Sequence, residues 1–166
     1  MNKDQISEKL QKAMDRLKKN DSFIISENAN ERSMTHTLAK YLVDEFPEYH
    51  VDCEYNRMTD ESGMQIKKQI YGTPDPDLVA VDDLDAQTVF PDIIIHRRED
   101  GDHNLLIVEA KKNGRDARLD YEKLNAYMRN NNDGGLGYKF SAFVVFDTKN
   151  PENSTCEIKD STGSWQ

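Results

Sequence analysis

The alternation of apolar and polar positions divides the chain into helical and extended stretches. Ile6, Leu10, Met14 and Leu17 recur at helical spacing, which predicts an amphipathic helix from Gln5 to about Asn20, broken at Asp21-Ser22. Met34, Leu38, Tyr41, Leu42 and Phe46 form the stripe of a second helix from about Glu31 to Phe46, with Asn30 as its N-cap and Pro47 as its stop. Val51, Cys53 and Tyr55 then alternate with Asp52, Glu54 and Asn56, as in a half-buried strand from Val51 to Arg57. Residues 58–88 are polar and rich in turn formers, too many for an ordinary connection, so an insertion or substrate-facing flap is expected there, with a short strand around Gln65 to Tyr71.

The apolar signal returns at Val89 to Arg98 (VFPDIIIHRR) and again at Asn104 to Lys112 (NLLIVEAKK). The turn-forming run Glu99-Asp100-Gly101-Asp102 between them predicts a β-hairpin. Ala117, Tyr121, Leu124 and Met128 outline a third helix from about Arg115 to Asn130. Tyr138 to Asp147 (YKFSAFVVFD) is apolar on both faces and reads as a covered strand, and the chain from Thr148 onward is polar with little patterning. Helix, helix, strand, hairpin, helix, strand is the order of an α/β (α+β) fold: a mixed central sheet flanked by helices, one domain over residues 1–166 with its core at about 30–147.

Composition narrows the chemistry. Among the 166 residues charged side chains make up 32% and the net charge is −9, which argues against nonspecific coating of nucleic acid. The charge is uneven. Between Asp75 and Asp102 nine acidic residues stand against Arg97 and Arg98, whereas between Glu109 and Arg129 six basic residues outnumber four acidic ones. No apolar run is long enough to span a bilayer, and MNKDQISEKL has no apolar leader core. Two cysteines make no disulfide framework, so a cytoplasmic location without a membrane partner is the expectation. His36, His50, His96 and His103 show no zinc-ligand spacing with Cys53 and Cys156.

Candidate chemistry gathers where the acidic and basic regions meet. Pro91-Asp92 lies on the first hairpin strand and Glu109-Ala110-Lys111 on the second. Strand alternation turns Glu109 and Lys111 to one face, and the hairpin brings Asp92 across from them or diagonal to them. Carboxylates are the hard oxygen ligands that Mg²⁺ or Mn²⁺ prefers, and a neighbouring lysine holds or deprotonates a water. Pro-Asp recurs at Pro74-Asp75 and Pro76-Asp77, and the acid-any-Lys pattern at Asp147 to Lys149 and Glu157 to Lys159, but only one pairing joins adjacent apolar strands. The alternative for these residues is a strand end at Asp92 and an exposed ion pair of Glu109 with Lys111. Glu31 shares the inward stripe of the second helix, at three and seven residues from Met34 and Leu38, and joins the candidate site; the alternative is a first-turn Glu favoured by the helix dipole. Arg57, Arg98, Lys112, Arg115, Arg118 and Lys123 are candidate phosphate contacts, with solvated strand-end or helix-face roles as the alternative.

PDIIIHRR and LLIVEAKK, with the helix and strand before them and the helix and strand after, resemble the PD-(D/E)XK nuclease superfamily over roughly Asn30 to Asp147. The resemblance implies a restriction-endonuclease-like αβββαβ core and metal-dependent phosphodiester cleavage, with DNA preferred over RNA as substrate. It implies Asp92, Glu109 and Glu31 as acidic metal ligands, the Ala110 carbonyl as main-chain ligand and Lys111 as the catalytic lysine. Mg²⁺ is the implied cofactor, replaceable by Mn²⁺. A homodimer is expected for double-strand cleavage. The other reading is an inactive nuclease-fold module that binds a protein or nucleic acid.

Overall fold

The computed structural model describes residues 1–55, 57–59, 65–67, 69–71, 86–88, 90–98, 100–113, 116–130, 133 and 135–165; within 57–88 and 100–102 only the backbone is described. The fold is α+β, with a five-stranded mixed sheet and three α-helices among the described residues.

Helix α1 spans Lys3–Ser26. Asn2 caps it reciprocally with Gln5, each backbone N–H bonding the other side chain at 2.9 Å. The break expected at Asp21 is present as a non-helical residue, yet the helix resumes and runs to Ser26. Two contacts account for this. The Tyr41 hydroxyl of the next helix donates to the Asp21 carboxylate, and Ile25 is fully buried beyond the kink. Helix α2 spans Glu31–Glu45, and the Asn30 side chain accepts from Ser33 N–H at 2.7 Å.

Strand β1 is His50–Cys53, shorter than the alternation to Arg57 suggests. Glu54 takes a left-handed backbone (φ 50°) and turns its N–H to the carbonyls of Pro91 and Asp92, which ends the strand. Four short strands follow, β2 (Arg57–Thr59), β3 (Gln65–Lys67), β4 (Gln69–Tyr71) and β5 (Ala86–Thr88). They pair outside the main sheet as two antiparallel ribbons, β2 with β3 and β4 with β5, so the expected insertion holds strands of its own.

Strand β6 (Ile93–Arg97) and strand β7 (Asp100–Lys112) form the hairpin, with Ile93 opposite Val108 and irregularities on either side of His96. The segment expected as a turn is shortened, because Asp100 already pairs with Arg97. Helix α3 (Arg118–Met128) crosses to strand β8 (Phe140–Phe146), which runs parallel to β7. The sheet order is β1-β6-β7-β8-β9.

Strand β9 corrects the reading of the C-terminal segment as a patternless tail. Thr155–Asp160 pairs antiparallel with β8 at the sheet edge, and Trp165 is buried beyond it. The side chains that hold it there are few and alternate: Ile158 is buried and Cys156 packs at the margin of the core.

Both faces of β6, β7 and β8 are covered, which is why these strands read as continuous apolar runs. Ile93, Ile95, Leu106, Val108, Ala142 and Val144 pack against α1 and α2. Ile94, Ile107 and Phe143 pack against Leu124 and Tyr127 of α3, with Tyr138 and Trp165 completing that side. No described helix is long and apolar enough to cross a membrane.

Candidate active site

Alternation along the hairpin sends Ile93, Val108 and Ala110 to the α1–α2 side, and Asp92, Ile94, Ile107, Glu109 and Lys111 to the α3 side. Continued by one step, the Ile93–Val108 register sets Asp92 opposite Glu109. The Asp92 carboxylate also reaches round the end of β6: its Oδ2 accepts from Ala110 N–H at 2.8 Å. Pro91, buried and without an N–H, closes the strand just before it. A strand residue turns its N–H and C=O toward the same edge, so the Ala110 carbonyl shares the edge that Asp92 occupies.

Glu109 is only 4% exposed, and its Oε1 accepts from the Tyr127 hydroxyl at 3.1 Å. Burial raises its carboxyl well above the usual carboxylate range, and the Asp92 charge adds to this; Lys123 and the Tyr127 hydrogen bond oppose it. Asp92 is pushed up to about 6, chiefly by burial, with the Ala110 N–H and Lys123 working in the opposite direction. Lys111 Nζ lies 2.7 Å from Asp120 Oδ2. Burial disfavours its charge, but Asp120, then Glu31 and Glu109, outweigh that and raise the ammonium above its ordinary value. Lys111 is therefore a fixed cation at neutral pH.

Glu31 arrives from the other side of the sheet. Its Oε2 accepts from Lys112 N–H at 2.8 Å, at the end of β7, and its charge acts on both Asp92 and Lys111. The tertiary fold thus brings together Asp92, Glu109, Lys111 and, at the margin, Glu31.

The candidate phosphate contacts are dispersed. Lys112 turns away from the Glu109 face and donates to Asn28 Oδ1 at 3.0 Å and Ala29 O at 3.2 Å, tying β7 to the α1–α2 connection. Arg98, at the far end of β6, clasps both oxygens of Asp52, which also lies 2.9 Å from His96 Nε2. Although burial opposes it, this pairing holds the Asp52 carboxyl well below the usual range. Arg118 pairs with Glu122 at 3.2 Å on the exposed side of α3. Lys123 belongs with Asp120 at 3.7 Å rather than on an outer stripe. The side chains of Arg57 and Arg115 lie outside the described residues.

Three residues of this site were not expected from the sequence: Asp120 and Tyr127, and Lys123 in this role. All come from α3, whose inward face was inferred from apolar positions alone. Their spacing (three, then four residues) is itself a helical stripe and was the available signal.

The donor set can be tested against a divalent ion. Among the described residues, no three His, Cys, Asp or Glu side chains are grouped to hold a metal by themselves. Asp120 is committed to two lysines and Glu31 Oε2 to a backbone N–H. The other two acids, half-buried Asp92 and buried Glu109, each accept one hydrogen bond as well, from Ala110 N–H and the Tyr127 hydroxyl, and they repel one another beside a main-chain carbonyl on the same edge. That set suits Mg²⁺ or Mn²⁺, which takes one or two carboxylates and completes its octahedron with water and phosphate oxygens.

Comparison with protein-family models, with curated proteins and with solved structures returned no match. The functional reading therefore rests on the residues themselves.

Proposed function

We propose that this chain is a metal-dependent nuclease of the PD-(D/E)XK kind, with a restriction-endonuclease-like core, acting on DNA in preference to RNA. One observation carries the reading: Asp92 and Glu109, seventeen residues apart in the chain, are neighbours on one sheet face with Lys111 on the same face. A solvated ion pair does not require a carboxylate as buried as Glu109, and burial of this kind is costly without a cation to offset it.

The site residues divide the work. Asp92, Glu109 and the Ala110 carbonyl would hold the divalent ion, and Glu31 adds negative charge behind them. The ion, when bound, lowers the pKa of a water and offsets charge developing on phosphate. Lys111, fixed as an ammonium by Asp120, orients the attacking water or the scissile phosphate through hydrogen bonds and does not act as a free base. Phe90, exposed two residues before Asp92, offers an aromatic surface on which a base can stack.

The test is a panel of DNA and RNA substrates with Mn²⁺, comparing wild type with Asp92→Ala and Lys111→Ala. Cleavage by the wild type is expected to fall by about 10²-fold or more in either variant. Equal cleavage by all three proteins would mark a contaminant and remove the proposal. A second reading, a non-catalytic module of the same fold, is favoured by one observation, the engagement of Lys111 by Asp120. It predicts no Mn²⁺ binding by calorimetry and no cleavage of any substrate.

A further inference from the structure

Asp120 is 5% exposed, and each of its oxygens faces an ammonium: Oδ2 lies 2.7 Å from Lys111 Nζ and Oδ1 lies 3.7 Å from Lys123 Nζ. A buried carboxylate bracketed by two lysines adds little stability over an apolar filling of the same space, so packing alone does not explain it. Asp120, Lys123 and Tyr127 share one stripe of α3. The ends of that stripe are anchored on β7, Asp120 on Lys111 and Tyr127 on Glu109. Lys123 stands between the two anchors. Its charge acts on both Asp92 and Glu109.

We infer that Lys123, held in place by Asp120, is a built-in counter-charge for the Asp92–Glu109 pair, and that the two α3 residues set the affinity of the site for a divalent cation. The inference rests on the metal-binding reading above and adds Lys123, which that reading does not use, and a second role for Asp120. A cation entering between the carboxylates meets the repulsion of Lys123, while Asp120 reduces that repulsion by neutralising part of the lysine charge. The two residues therefore act on metal binding with opposite sign.

Calorimetric titration of the full chain with Mn²⁺ separates this from a structural role. Lys123→Met is expected to tighten Mn²⁺ binding by about tenfold or more and Asp120→Asn to weaken it by about tenfold or more, tenfold being the lower bound for one unit charge a few ångströms from a divalent ion in a water-like dielectric. Lys123→Arg, which keeps the charge, is expected to bind as the wild type does. Damage to the fold would loosen binding in every variant together, and that result, or no change in Lys123→Met, overturns the inference. If the wild type binds Mn²⁺ and Glu109→Ala does not, while Lys123→Met is indistinguishable from wild type, the inference alone fails. If the wild type binds no Mn²⁺, the inference and the nuclease reading fail together.

Discussion

On one face of the sheet Ile93, Ile95, Leu106, Val108, Ala142 and Val144 meet Leu10, Met14, Leu38 and Leu42 of the helix pair in an apolar contact. On the other face, the same strands present Asp92, His96, Glu109 and Lys111 among Ile94, Ile107 and Phe143, beneath a single helix that adds Asp120 and Tyr127. The first face has the composition of a layer selected for stability. The second gives up apolar burial to keep ionisable groups away from water, at several kcal/mol for each charge that lacks a partner. Its polar groups are not scattered. Among the described residues they form two clusters, one around Asp52, His96 and Arg98 and one around Asp92 and Glu109; in the first the partners outweigh burial, and in the second burial wins and leaves the carboxyls above their usual range.

The contrast can be broken by mutation. On the helix-pair face, Leu10→Ala removes a fully buried side chain and is expected to cost about 2–5 kcal/mol in urea unfolding. On the α3 face the sign reverses. Because the folded protein holds the Asp92 carboxyl up to about 6, it keeps a proton that the unfolded chain has already lost above roughly pH 4. The native state binds more protons in that window, so stability falls as pH rises from about 4 to about 6 and stays lower above it. Asp92→Asn, which still accepts from Ala110 N–H, is expected to be more stable than wild type by about 2–3 kcal/mol at pH 7 with EDTA present. The difference is expected to vanish near pH 4. A variant no more stable than wild type at pH 7 would show that Asp92 is not held at a cost. The smallest effect is local: Asn30→Ala removes the cap of α2 and is expected to cost about 1 kcal/mol without changing the pH profile.

Legibility followed the same division. The hairpin, α2, α3 and β8 were readable because each carries an apolar repeat strong enough to announce its period. Asp92, Glu109 and Lys111 could be assigned to one face because strand side chains alternate without exception over so short a run. The strand limits at Glu54 and Asp100 were not readable, since a left-handed residue and a register irregularity leave no apolar trace. The edge strand Thr155–Asp160 escaped for a related reason: only Ile158 and Cys156 of its residues face the core. Trp165 was the overlooked clue, a large aromatic that is buried against Tyr121 and donates its indole N–H to Ser141 Oγ at 2.8 Å.

Local patterning, then, was enough to specify which segments are helices and strands and which acidic and basic residues share a strand face, because those properties depend on neighbours a few positions apart. The company those residues keep depended on the fold. That Asp120 meets Lys111, that Tyr127 bonds Glu109 and that Glu31 reaches Lys112 N–H from the opposite layer are contacts between different elements of the fold. No periodicity encodes them, since a polar side chain facing inward looks the same in sequence as one facing water until its partner is brought beside it.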